Sequence, residues 1–255
     1  MSGYGAFSSF YDALMTDVDY PARAAYLLKL FARHDAEPHT LLDIACGSGC
    51  LCAELEKQGK EVIGVDGSSA MLMQARQRLS ADALLLAQDM RELDLYGTVD
   101  GAVCTLDSLN HLCRTDDVAQ VFRRARLFVE PNGLLIFDVN TVYKHREVLG
   151  NHTFVTEQDG IVCVWRNHYF TRTNEVNMLL DFFVEQQDGT YERYEETVRE
   201  RAYSERMLRR LLAETGWETV AVYGDMTTDA PEPNCERMVF VARNTRTVEQ
   251  AMQGE

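Results

Sequence analysis

Five aspartates and one histidine stand at or just past the ends of short apolar runs: Asp43, Asp66, Asp89, Asp107, His111 and Asp138. Carboxylates and an imidazole so placed can hold ligand hydroxyls or take up a proton. The sharpest pattern is Leu41-Leu42-Asp43-Ile44-Ala45-Cys46-Gly47-Ser48-Gly49. A buried strand running into Gly-x-Gly and then a helix lets bare backbone approach a ligand. A dinucleotide fingerprint would put a third glycine at position 52, where this chain has Cys52, so close passage of a pyrophosphate is disfavoured. Asp66 closes the next apolar run, Val62-Ile63-Gly64-Val65, 17 positions after Gly49. An acid there can accept hydrogen bonds from both ribose hydroxyls of an adenosine ligand.

Each of these residues also has a plainer reading. Asp43 can cap the following helix, Gly47 and Gly49 can serve a turn alone, and Asp107 and Asp138 can cap or bond loops. His111 is either a general base or a structural histidine. Met71 and Met73 share an amphipathic helix, where one of them is core.

Elements that alternate along the chain must position these groups. Residues 40–45, 61–65, 83–87, 101–105 and 133–137 read as strands, separated by helices over 51–59, 69–79 and a basic-faced segment around Arg123, Arg124 and Arg126. Alternation of this kind predicts a parallel sheet covered by helices on both faces. From 154 to 203 the pattern changes to four strand-like runs with Asp-Gly turn signals at Asp159-Gly160 and Asp188-Gly189, which predicts an antiparallel meander. A helix over 204–215 and strands over 217–223 and 238–242 then complete the first pattern. The predicted organisation is an α/β core of residues 1–145 and 204–245, an inserted antiparallel sheet of 146–203, and a polar tail of 246–255.

Asp-Ile-Ala-Cys-Gly-Ser-Gly, then Val-Ile-Gly-Val-Asp-Gly-Ser-Ser-Ala-Met-Leu, then Ala87-Gln88-Asp89-Met90 resemble three successive motifs of class I methyltransferases that use S-adenosylmethionine (SAM). Tyr11-Asp12-Ala13-Leu14-Met15, the segment from Cys104 to His111 and that from Cys235 to Arg243 resemble a bacterial subgroup with an antiparallel sheet inserted after the fifth core strand. The resemblance covers essentially the whole chain. It implies a Rossmann-like, doubly wound, mostly parallel seven-stranded sheet with a small antiparallel lid. It also implies SAM as cofactor, S-adenosylhomocysteine as product, and a cofactor site of Tyr11, Asp43, Ala45, Cys46, Gly47, Gly49, Asp66, Gly67, Met71, Asp89, Met90 and Leu106. In that family the carboxylate at Asp89 meets the adenine amino group and the next backbone amide meets the ring. Two positions depart from the pattern: Gly67 stands where the family often has Leu or Ile, and Arg23 where the subgroup often has Trp.

The implied reaction is in-line displacement of a methyl group, in which orientation and exclusion of water supply much of the rate. A protonated acceptor also needs a base, and Asp107, His111 and Asp138 are the candidates. The inserted sheet is expected to wall the acceptor pocket. Its acidic residues Asp181, Glu185, Glu192, Glu195, Glu196 and Glu200 read as solvated strand faces, or alternatively as a field drawing in an amine. With 25 basic against 40 acidic residues, a formal charge of −15, nucleic acid is a poor partner. A small-molecule acceptor leads, followed by a protein side chain. The seven cysteines lack zinc-like spacing, so no metal is expected, and the absence of a secretory pattern or a bilayer-length apolar run points to the cytoplasm. A SAM-binding sensor without transferase activity and a nicotinamide-dependent oxidoreductase remain the alternatives.

Overall fold

The computed structural model describes residues 18–247. Tyr11 and most of the predicted tail lie outside them. Strand β1 (Thr40–Ile44) is flanked by β2 (Glu61–Asp66) and β4 (Val99–Cys104). With β3 (Leu84–Ala87), β5 (Val129–Asn140), β10 (Trp217–Gly224) and β11 (Arg237–Asn244) they form one seven-stranded sheet in the order β10-β11-β5-β4-β1-β2-β3. β11 alone runs against its neighbours in this sheet. The chain winds from β1 outward to β3, then crosses back to β4 on the other side. Ligands of open α/β sheets sit at such a reversal, beyond the carboxyl ends of the strands.

Helices cover both faces. On one lie α1 (Tyr20–Arg33), α2 (Cys50–Lys57) and α3 (Ser69–Arg78), whose Leu30, Phe31, Leu55 and Ala75 pack with Leu41 and Val62. On the other lie α4 (Thr115–Phe128) and α5 (Glu205–Glu214), whose Val118, Phe122, Leu208 and Leu212 pack with Leu42 and Ile44. Leu41 and Leu42 point into opposite layers because side chains alternate along a strand. Helix α1 was not foreseen in the sequence. Asp19 starts it by accepting a hydrogen bond from the Ala22 amide at 2.9 Å, with Pro21 in the first turn, where its missing N–H costs nothing. Strand β5 begins four residues earlier than the apolar run implies.

Between β5 and α5 the chain makes a π-helical turn (Lys144–Leu149) and a second sheet, β6 (Thr153–Gln158), β7 (Ile161–Phe170), β8 (Glu175–Glu185) and β9 (Tyr191–Arg201). All its pairings are antiparallel. Asp159 and Gly160 both have positive φ, 51° and 74°, between the paired Gln158 and Ile161, which is the turn that matches strand twist. Two of the six acids read as solvated are buried instead. Asp181 lies between Arg166 of β7 and Arg193 of β9, and Glu200 points into the junction with the core. Among the described residues no helix is long and apolar enough to cross a membrane.

Gly47 and Gly49 separate the two uses of a left-handed glycine. A Cβ on Gly49 (φ 77°) would lie 2.8 Å from the Ala75 Cβ, whereas one on Gly47 (φ 54°) would meet nothing within 4 Å. Gly49→Ala is expected to lose about 2–4 kcal/mol, adding a backbone clash to a conformation that costs about 1–2 kcal/mol. Gly47→Ala should lose only about 1–2 kcal/mol from conformation. Urea denaturation of the two variants tests this order.

Candidate active site

The carboxyl ends of β1 and β2 form one wall of a cleft. Ala45, Gly47 and Gly49 all take positive φ, folding the chain back on itself after β1. The Gly47 amide then donates to Asp66 Oδ2 and the Ser68 amide to Asp66 Oδ1, each at 2.8 Å. Each oxygen keeps a further lone pair for a ligand hydroxyl. Burial pushes the Asp66 carboxyl up, against the pull of the two amides and of His111. Asp43 is buried behind this loop, accepting from the Cys52 thiol at 3.1 Å. Burial raises its carboxyl to about 7, opposed by that thiol and reinforced by Asp66. Cys46, Gly47, Ser48, Thr105, Leu106 and Ser108 line the cleft together with Asp43 and Ala45.

Further along the edge, Met71 is buried at the start of α3 and Met90 is partly buried against the core. Gly67 leaves space beside the Gln88 carbonyl, 3.9 Å from where a Cβ would sit. Asp89 accepts from the Arg91 amide at 2.8 Å and from its Nε at 2.9 Å. The Arg91 hydrogen bond holds the Asp89 carboxyl below its usual range.

The opposite wall begins after β4. Leu106 and Asp107 have φ of 55° and 57°, and both amides donate to one carboxylate, Asp138 of β5, at 2.9 and 2.8 Å. Asp138 is 1% exposed. It also meets Arg237 of β11, and Arg23 of α1 at 3.4 Å. Arg237 reaches Asp107 at 2.6 Å, and Arg23 makes two 3.2 Å contacts with Asp225. Burial raises the Asp107 carboxyl, but the Arg237, Lys144 and His111 charges outweigh it and hold it well below the carboxylate range.

His111 ends the short 3-10 turn Ser108–His111, with its side chain 34% exposed. Its Nε2 is 3.9 Å from Glu200 Oε1, and donor atoms of Asp107, His111 and Glu200 all lie within 4.8 Å of one another. The structure thus brings His111 near Asp107 and Glu200. Arg237 and Asp225 carried no assigned role in the sequence. Arg23 stood only as a departure from the subgroup's pattern, and Glu200 was read as a solvated strand face or as part of a field drawing in an amine. The available signals were phase and position: Arg237 heads the apolar run of β11, and Glu200 is in step with Tyr194 and Val198 of β9.

Residues 41–133 match a family model described as a methyltransferase domain. A protein of Geobacillus sp. (strain WCH70), named as a methyltransferase without an acceptor, is 32% identical over 94% of this chain and 99% of its own length. The chain belongs to the class I SAM-dependent methyltransferases. A SAM-dependent methyltransferase from Clostridium acetobutylicum ATCC 824 has a similar structure, with a TM-score of 0.83 at 29% identity over 94% of this chain and 98% of that one. SAM-bound CalS10, an amino pentose methyltransferase from Micromonospora echinaspora, shares the fold at TM-score 0.76 and 22% identity, over 92% and 96% of the two chains. A dTDP-3-amino-3,6-dideoxy-alpha-D-glucopyranose N,N-dimethyltransferase of Streptomyces fradiae is 32% identical over 47% of each chain.

The methyltransferase's own geometry fits its cofactor. Open space beside Gly47 and the lone pairs left on the two amide-bonded oxygens of Asp66 are compatible with a bound nucleoside at this edge. When bound, SAM supplies an electrophilic methyl group on a sulfonium.

Two predictions follow from the buried acids. Asp138→Ala should lose about 3–5 kcal/mol, because it leaves buried arginines and two amides short of a partner; chemical denaturation measures it. Asp43 carries a folded value of about 7 against an ordinary 3.8, so its contribution to stability is full below the ordinary value and is lost as pH rises through about 7. The stability of wild type relative to Asp43→Asn should therefore fall between about pH 4 and 7 and then level off. Denaturation curves of both proteins across that range would show it, and parallel curves would contradict it.

Proposed function

We propose that this methyltransferase transfers the methyl group to an amine nitrogen of a small molecule. The observation that carries the reading is the setting of His111, a partly exposed imidazole beside Asp107 and Glu200, three residues past Ser108 of the cleft. An ammonium must lose a proton before its nitrogen can attack. His111 is the group that takes it. Asp107 is held ionised by Arg237 and is a weak base, and Asp138 has both oxygens committed to amides and guanidinium groups. These two aspartates shape the wall instead.

On the cofactor side, Asp66 would hold the ribose hydroxyls and Asp89 with the Met90 amide the adenine, between Met71 and Met90. Gly67 leaves room there. Ala45, Cys46, Gly47, Gly49 and Leu106 would present backbone to the rest of SAM, with Asp43 behind them; Tyr11, also expected at the cofactor, lies outside the described residues. The four-stranded sheet would form the wall against the acceptor, which suits a compact molecule. Two relatives named for amino-sugar methylation support the amine. The free cysteines support a reducing compartment, the cytoplasm.

The test is a panel of amino sugars, amino acids and polyamines with methyl-labelled SAM, beside hydroxyl analogues, proteins and RNA. Label should enter small amines. Asp66→Ala should lose SAM binding by calorimetry, while His111→Asn should keep it and lose about 10²–10⁴ in kcat. Label entering only hydroxyl analogues or macromolecules would overturn the amine reading, and undiminished turnover by His111→Asn would remove the base.

A further inference from the structure

We infer that Glu200, carried by the inserted sheet, is a positioning residue for His111: it fixes the imidazole with Nε2–H toward the carboxylate, leaving Nδ1 as the proton acceptor. The inference rests on the reading of His111 as base.

The carboxylate is placed with care. Glu200 is 4% exposed, and a buried carboxylate is costly unless its oxygens are engaged. Oε2 receives Asn140 Nδ2 and His145 Nε2, both at 3.2 Å. Oε1 lies 3.9 Å from His111 Nε2, within ion-pair reach but longer than a direct hydrogen bond, so the carboxylate acts on the ring through its field. The backbone around this pair is sewn together on both sides. Asn110, next to His111, donates to the carbonyl of Arg201, next to Glu200, at 2.9 Å, and to the Asn140 carbonyl at 3.2 Å. Its Oδ1 accepts from the Asn140 amide at 2.9 Å. Arg201 Nη1 donates to the Cys113 carbonyl at 2.9 Å, and the Tyr203 hydroxyl donates to the Leu112 carbonyl. The turn that bears His111 and the strand that bears Glu200 therefore move as one piece. Anchoring the sheet alone would not require the second oxygen to be turned toward the imidazole.

A carboxylate beside one ring nitrogen selects the tautomer and stabilises the imidazolium formed at the other. In the balanced step, an ammonium N–H proton passes to His111 Nδ1, its electron pair stays on the amine nitrogen, and Nε2–H stays toward Glu200. The same three side chains have the spacing of a cation site. The Arg237 and Lys144 charges on Asp107 oppose a dication there, and so does the engagement of Glu200 Oε2.

The test needs no acceptor. Long-range ¹H–¹⁵N spectra of histidine-labelled protein with S-adenosylhomocysteine, recorded at mildly alkaline pH, report the tautomer of each ring. His111 signals are assigned by their loss in His111→Asn. Wild type should show His111 as the Nε2–H tautomer. In Glu200→Gln, whose amide presents a donor as well as an acceptor, the single Nε2–H pattern should be lost, with S-adenosylhomocysteine affinity retained. An Nδ1–H tautomer in wild type, or identical His111 patterns in wild type and Glu200→Gln, would overturn the inference and leave Glu200 as an anchor for His145 and Asn140. Should Glu200→Gln not fold, Glu200→Asp, which draws the carboxylate back by one methylene, serves as the second variant, and a His111 pattern identical to wild type there would equally overturn the inference. Failure of every amine in the labelling panel would leave these spectra unchanged, so the two readings fail separately.

Discussion

The constraint on which the wall bearing His111 depends is one buried carboxylate. Asp138 receives two successive amides from Leu106 and Asp107 while neutralising Arg237 and Arg23. Two adjacent non-glycine residues in the left-handed region cost of order 1–2 kcal/mol each. That conformation persists because it turns both N–H groups onto a charged acceptor, where hydrogen bonds are strong. The same carboxylate gathers β5, β11, α1 and the chain leaving β4. It therefore fixes where the Ser108–His111 turn starts, and with it the imidazole.

The wall around Asp66 is built differently. Its donors are the backbone amides of Gly47 and Ser68, and its contacts join neighbouring strands and the turns that follow them. Such a wall needs only two left-handed glycines, tight turns and an acid at a strand end, all of which are local properties of the chain. The opposite wall instead needs side chains from positions 23, 107, 138, 200, 225 and 237 to converge.

That difference decides how much was legible beforehand. The alternating strands and helices, the Gly-x-Gly turn, Asp66 and the Asp159-Gly160 hairpin are written in spacing of a few residues, and the parallel sheet follows from them. Asp43, Asp107 and Asp138 were visible as acids near strand ends, but not which of them would be paired with arginine. Arg23 stood out only as a departure from the subgroup's pattern and Arg237 not at all, because nothing near them in sequence reveals a partner more than 95 positions away. Glu200 was grouped with solvated acids although its strand phase matched Val198; the exposed Glu192 and Glu195 nearby masked the one that turned inward.

The point of insertion also has a physical reason. The chain leaves the core at Asn140, one residue pair from Asp138, and returns through Tyr203, whose hydroxyl caps the Leu112 carbonyl just beyond His111. Both ends of the insert are thus tied to the turn that carries the imidazole, and neither is hydrogen-bonded to the Gly47–Asp66 cradle in any described contact. Exposed strand faces of β7 to β9 can change in shape and charge without disturbing the cradle, whereas Asn140, Glu200 and Arg201 cannot change without releasing the His111 turn. A fold arranged in this way leaves the Gly47–Asp66 cradle independent of changes on the exposed faces of the small sheet.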